Sequence, residues 1–348
     1  MRFERRVERT AWLALAAPLA AVIGAMVLSA GLIRLAGVPA LSAFGEILSN
    51  AFGSRLAITE TLTRATPLML TGLAAVVAFR ARIWNIGAEG QLYIGALAVA
   101  ALGTTLSGWP GAIAIPTLML GGALAGALLL LIPLLLRLRF GVDEVVTTLL
   151  LNFVAVLFVS LMIEGPLKDP MAFGWPQSVP VPIEAELPKL VERTRLHIGL
   201  LIAIVLALIV HVVQSRTLFG LRSRAVGLNA DGARFAGVRI GRTLILTGCL
   251  SGALAGLAGA IEVMGVKGYV TTDLSPGYGY SGILVAMLAA LHPLGVVAAS
   301  LFAATLFVGA DGMSRAVGVP TYIADVTVAL SLLTMLVALF FTQYRVRR

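Results

Sequence analysis

Apolar residues in this chain come in long unbroken runs. They do not alternate as in a half-buried strand, nor form the one-sided stripe of a surface helix. Runs from Trp12 to Ile33 and over about 58–79, 111–136, 142–163, 196–213, 243–264 and 321–341 are of the length, about 18 residues or more, that crosses a hydrocarbon core of roughly 30 Å as a helix. Shorter runs follow Gln91 to Leu106 and cover 281–291 and 294–309. A transmembrane β-barrel would alternate lipid-facing and inward residues, and these runs do not. The pattern predicts an all-α polytopic membrane protein of about ten transmembrane helices. Residues 40–57 are mildly amphipathic and are expected to lie at the outer interface.

The polar punctuation sets the orientation. Arginines gather in the N-terminal tail, at Arg80 and Arg82, at Arg137 and Arg139, in the stretch from Gln214 to Arg242, and in the C-terminal tail. Short Lys/Arg-rich loops stay on the cytoplasmic side. The segment from Glu164 to Arg195 instead carries Glu164, Asp169, Glu184, Glu186 and Glu192 among six prolines, which suits the outside. The resulting map is a single membrane domain over 1–348. It has a cytoplasmic tail 1–11, five helices in 12–164, an external loop 165–195, a helix at 196–213, a cytoplasmic loop 214–242, helices in 243–341 and a cytoplasmic tail 342–348. Both termini fall inside. The stretches 58–106 and 243–291 share a layout, a small-residue helix, a Gly-rich break and an apolar continuation. That layout suggests two inverted five-helix halves, an arrangement that recurs in transporters.

The loop 214–242 holds Arg216, Arg222, Arg224, Arg234, Arg239 and Arg242, with Asp231 its only acid. Its middle, Gly227 to Gly237, is expected to form a short helix capped by Asn229 or Asp231, whose side chains can accept orphan backbone N–H groups. Such a helix across the ends of membrane helices is a handle for a soluble partner. The alternative is a solvated loop that only sets topology.

Composition agrees with the membrane reading. The chain is 59% hydrophobic and 12% charged, with mean hydropathy +0.98. Its 37 glycines fit closely packed membrane helices. The net charge of +9 is distributed as topology requires, so nucleic-acid binding is not expected. One cysteine, Cys249, excludes an intrachain disulfide, and His197, His211 and His292 are scattered, so neither a metal site nor a cofactor is expected. No G-x-x-x-x-G-K-[ST] phosphate loop occurs, nor a Ser/His/Asp set. The chain is expected to be no enzyme.

What remains is a pathway. Asn85, Glu89 and Gln91 sit at a predicted helix start, an expensive depth for polar groups unless they are paired or wet. They either line a polar route and fix a broken helix at its gate, or simply start a helix, with Asn85 capping and Glu89 in the first turn. Deeper candidates are Glu60, Thr63, Arg64, Asn152 and Glu262. Asn152 would bond either a neighbouring helix or a hydroxylated solute. Tyr269, Tyr278 and Tyr280, with Phe153 and Phe158 elsewhere, are candidates for stacking on a sugar or base, or for an interfacial belt. Asp143 and Glu144 complement a helix N-terminus beside Arg137 and Arg139.

Asn85-Ile-Gly-Ala-Glu-Gly-Gln91, together with Gly227 to Gly237, Gly252-Ala-Leu-Ala-Gly-Leu-Ala-Gly259 and Gly277-Tyr-Gly-Tyr-Ser-Gly-Ile-Leu-Val-Ala286, resembles the permease subunits of bacterial ATP-binding cassette (ABC) importers. The branch is the ribose/branched-chain-amino-acid type permease superfamily. Within it, the chain is most similar to the nucleoside-type group that works with lipoproteins of the basic membrane protein family. The likeness covers roughly 12–341. Xylose and ribose permeases usually carry a different, Asp-Leu-Ser-containing sequence at the equivalent break, which favours nucleosides over free sugars. The resemblance implies a bacterial plasma-membrane protein in which two permease chains, identical or homologous, form the pore. It implies a cytoplasmic ATP-binding subunit docked on the central loop at Arg222, Arg224, Gly227, Asn229, Asp231, Arg234 and Gly237. An extracytoplasmic solute-binding lipoprotein delivers the cargo, and alternating access carries it inward. It does not assign the solute-contacting residues. The rivals are the same architecture with a simple sugar as cargo, an ion-coupled secondary transporter using Glu89, Glu262 or Asp311, and a non-transporting scaffold.

Overall fold

The computed structural model describes residues 2–5, 23–24, 26–31, 33–34, 37–318 and 320–347. The run from Trp12 to Ile33 therefore lies for the most part outside the described residues. Among the described residues the regular structure is helical apart from one short ribbon, in which β1 (Arg2–Arg5) pairs antiparallel with β2 (Tyr344–Arg347). Two compact units are formed, one from 1–64 with 301–348, the other from 65–300.

The helices in order are α1 (Ala40–Phe52), α2 (Arg55–Arg80), α3 (Ala88–Gly103), α4 (Gly111–Phe140), α5 (Glu144–Glu164), α6 (Gly199–Arg216), α7 (Leu218–Leu228), α8 (Ala230–Phe235), α9 (Ile240–Glu262), α10 (Tyr278–Leu288), α11 (Pro293–Val317) and α12 (Thr321–Gln343). Among the described residues seven helices are long and apolar enough to cross a membrane: α2, α4, α5, α6, α9 with its extension to Lys267, α11 and α12. Within the described residues the other apolar runs found their helices, with ends shifted by a few residues except in α11, which runs on to Val317 where the sequence reading stopped at 309.

Two predicted spans are shorter than a crossing. At 1.5 Å per residue, α3 with 16 residues reaches about 24 Å and α10 with 11 residues about 17 Å, against roughly 30 Å of hydrocarbon. Both start at a glycine-rich break and end inside 65–300.

In the first unit α1 buries Ala43, Ile47 and Ala51 at a four-residue spacing and leaves Leu41, Leu48 and Phe52 exposed, the division expected of an amphipathic helix. It lies against α11, where side chains at Gly309 and Gly312 would collide with Ile47 and Asn50. Arg64 of α2 donates to Asp311 of α11 at 2.6 Å and stands 3.8 Å from Glu60.

The second unit is built on α3, α4 and α9. At their closest points backbone meets backbone. A Cβ at Gly95 of α3 would strike the Gly256 carbonyl of α9, and one at Gly126 of α4 would strike the Gly252 carbonyl. Only glycine lets these backbones meet, which is the use of small residues where lipid gives helices no hydrophobic reason to associate. By contrast α5 turns most of its apolar surface outward, with Phe153 and Phe158 among its exposed residues.

The 165–198 segment is held by backbone bonds rather than left free. Leu187 N–H donates to Met264 O (2.9 Å), Val181 N–H to Gly268 O (2.7 Å) and Ser178 N–H to Val270 O (2.9 Å). Its partners are a π-turn, Val263–Lys267, that extends α9 and closes at Gly268 in the left-handed region, and the residues just after it. His197, 1% exposed, packs its ring against Gly199 and Gly265, and its Nδ1 accepts the Gly199 N–H at 3.1 Å.

The 214–242 stretch differs from the single short helix expected over Gly227–Gly237. It forms two helices. Thr217 caps α7 through the Gly220 N–H (3.3 Å), and Asn229 caps α8 through the Gly232 N–H (2.9 Å). Asn229, in extended backbone geometry, is the break between them. Asp231 is instead in the first turn of α8, paired loosely with Arg234 at 3.5 Å.

Candidate functional site

The polar residues that the sequence places at an unfavourable depth converge where α3 and α10 begin. Glu89, in the first turn of α3, accepts the Gly279 N–H of α10 at 2.6 Å. The Ser275 hydroxyl accepts the N–H groups of Gly277 (3.1 Å) and Tyr278 (2.9 Å) and itself hydrogen-bonds Glu89. The backbones touch here as well, since a Cβ at Gly279 would come within 2.6 Å of Ala88 C. Two helix N-termini, each a partial positive charge, therefore meet with one carboxylate between them. Glu89 is 5% exposed.

Around this contact the remaining polar groups close on one another. Asn85 donates to Gln91 Oε1 (3.0 Å) and Ser251 Oγ (3.1 Å), and accepts from Gln91 Nε2 (2.9 Å) and Gly87 N–H (3.0 Å). Asn85 is thus not the cap of α3. That position is Gly87, and Asn85 sits two residues earlier, tying the break to α9. Asn152 of α5 accepts the Gly90 N–H (2.8 Å) and donates to Ile86 O (2.8 Å) and to the Tyr280 hydroxyl (3.1 Å).

Of the tyrosines, Tyr278 is buried and its carbonyl accepts from Thr71 at 2.9 Å, whereas Tyr280 is partly exposed. A participant not singled out from the sequence is Tyr93, whose hydroxyl donates to Thr272 O (2.7 Å) and accepts the Ser275 N–H (3.3 Å). Its position one turn after Glu89, on the same face of α3, was the available signal.

The basic stretch forms a second surface. Arg222, Arg224, Asn229, Asp231, Arg234 and Gly237 are exposed, but Gly227 is buried, its α-carbon facing the Arg80 carbonyl so closely that no side chain fits. Beside the arginines stand Leu221, Leu228 and Phe235, 62%, 71% and 96% exposed. Among the described residues no group of three or more His, Cys, Asp or Glu is placed to hold a metal ion.

Fold and junction together define a multi-pass helical membrane protein in which two short helices meet head to head inside a glycine-packed core. Residues 57–339 match the family described as the branched-chain amino acid transport system/permease component, and the chain belongs to that family. It is 34% identical to the glucose ABC transporter permease protein TsgB13 of Haloferax volcanii, over 99% of this chain and 93% of the relative. It is 32% identical to the guanosine ABC transporter permease protein NupP of Bacillus subtilis, over 91% of each. With the nucleoside ABC transporter permease protein NupB of Lactococcus lactis subsp. cremoris it shares 32% identity, over 90% of this chain and 88% of the relative.

Proposed function

We propose that the chain is the membrane-spanning subunit of an ABC importer that carries nucleosides inward across a bacterial plasma membrane. The observation that carries this reading is the likeness, over about nine-tenths of both chains, to permeases named for guanosine and for nucleosides. In this reading a partner hydrolyses ATP, a second permease chain completes the pore, and a solute-binding lipoprotein delivers the cargo. The ATPase docks on α7 and α8, where the arginines and Leu221, Leu228 and Phe235 form a mixed basic and apolar face. Both termini and this face lie on the cytoplasmic side, and 165–198 on the other. The ten-segment, inverted-repeat plan is supported by two long-helix-then-short-helix units, α2–α3 and α9–α10, whose short members face each other at Glu89 and Gly279. Asn85, Glu89, Gln91, Asn152, Tyr278 and Tyr280 then hold the discontinuous helices that the solute passes, and Tyr280, the exposed one, is the member placed to touch it.

The likeness to a glucose permease favours a second cargo, a monosaccharide, on the same architecture. Ion coupling is less well supported, because Glu89 is committed to the α10 N-terminus and Asp311 to Arg64. Uptake of labelled guanosine, ribose and glucose, in cells with and without the gene, separates the readings. Loss of guanosine uptake alone is expected. Loss of sugar uptake alone would replace the cargo, and uptake that collapses with a protonophore while ATP is maintained would overturn the ABC assignment.

A further inference from the structure

A groove of about 850 Å³ runs between α4 and α6 and is floored by Leu257 of α9. Its walls are apolar along their length, from Ala112 and Ile115 to Leu120 on one side and from Ile198 to Leu206 on the other. The charged groups lining it are two carboxylates, Glu184 and Glu186, both at the same end and both exposed. That end is structurally fixed. The turn Ile183–Ala185 lies on the start of α4, where a Cβ at Gly111 would come within 2.6 Å of the Glu184 carbonyl. The Ile198 N–H bonds Pro188 O at 2.9 Å, which holds the other wall.

The dimensions suit an acyl chain. From Gly111 to Ala123 the groove follows α4 for about 18 Å at 1.5 Å per residue, close to the roughly 15 Å depth of one leaflet. Trp109, 48% exposed, stands two residues before Gly111 and marks the carboxylate end as headgroup depth, where indoles collect. We infer that the α4–α6 groove is a lipid site that holds an acyl chain of a phospholipid with a primary-amine headgroup, its ammonium placed on Glu184 and Glu186. An anionic headgroup would meet like charge there, and a quaternary ammonium has no N–H to donate.

The test is lipid retention by the purified full-length complex, delipidated and reconstituted with equal parts phosphatidylethanolamine, phosphatidylcholine and phosphatidylglycerol, then read by native mass spectrometry. Two exposed contacts of this kind predict about a three- to ten-fold excess of the ethanolamine lipid. Glu184→Gln with Glu186→Gln should abolish that excess while some lipid stays bound. Ala123→Trp should expel lipid of every headgroup. Equal retention of the three lipids, or an undiminished excess in the double variant, overturns the headgroup assignment. Unchanged total lipid in Ala123→Trp overturns the groove. A photocrosslinking residue at Ala123 provides a readout that does not depend on the variants folding. Crosslinks to lipid are expected, and crosslinks to a second permease chain instead would make the groove a subunit interface and refute the proposal.

Discussion

Removing the Glu89 carboxylate should loosen α10 in two separable steps. Glu89→Gln keeps an acceptor for the Gly279 N–H but loses the charge that faces two helix N-termini. A hydrogen bond to a charged group contributes about 1.5–3 kcal/mol and a neutral one about 0.5–1.5, so the amide should cost about 1–2 kcal/mol. Glu89→Ala also leaves the Gly279 N–H buried without a partner, a further penalty of about 1–3 kcal/mol. The measurement is the midpoint of thermal loss of monodisperse protein in detergent, ordered wild type above Gln above Ala. Uptake by the Gln variant should fall only as far as its folded fraction falls, with its pH profile unmoved. If the amide is as stable as wild type yet transports nothing, or shifts the pH profile, Glu89 handles protons or solute, and its role as the anchor of the α10 N-terminus fails.

Asn152→Leu leaves the Gly90 N–H and Ile86 carbonyl unpaired and should cost about 1–3 kcal/mol in the same assay, whereas Tyr280→Phe should cost less than about 1. Phe235→Ala with Arg234→Glu should remove the ATPase from co-purification at unchanged yield. Gly227→Leu, which collides with the Arg80 carbonyl, should lower yield itself, and normal yield would show that α7 is not seated on α2 as described. Gly256→Leu forces apart α9 and α4 and should cost about 1–3 kcal/mol or more, read as loss of monodisperse protein. His197 lies just before the span that begins at Gly199, and burial pushes its pKa down to about 4 from 6.5. Its neutral form is the folded form, so the unfolded chain binds the extra proton between these values and stability falls as pH drops from about 6.5 to 4, by about 3 kcal/mol in all. His197→Asn should flatten the melting-midpoint slope over that range, and an unchanged slope would refute the assignment.

The spans were legible because lipid demands long apolar runs, and the ends of α2, α4 and α9 fell within a few residues of the sequence reading. The cost of polar groups at depth was legible too, which is why Asn85, Glu89, Gln91 and Asn152 stood out. Their partners were not. Glu89 bonds a residue 190 positions away and Asn152 one 62 positions away, and no local spacing encodes such pairings. Gly227 was read as part of a surface because glycine has no side chain to declare a face. Phe235 and Leu228 were overlooked because the arginines dominated the loop, although Leu221, Leu228 and Phe235 recur every seven residues. Asn229 was one of the two caps the sequence offered and does cap α8, but the separate helix α7 ahead of it was not read, because an N-cap and a loop residue have the same composition.

The crossing of α3, α4 and α9 has a mechanical consequence. Helices separated by side chains can slide, because each rotamer change absorbs part of the motion. Where carbonyls of one helix rest on the α-carbons of the next, no rotamer lies between them to take up a displacement, so movement of one presses directly on the backbone of its neighbours. A displacement of α9 therefore bears directly on Gly95 of α3, which lies six residues from Glu89 on the same helix. The glycines make this part of the molecule a lever rather than a spring.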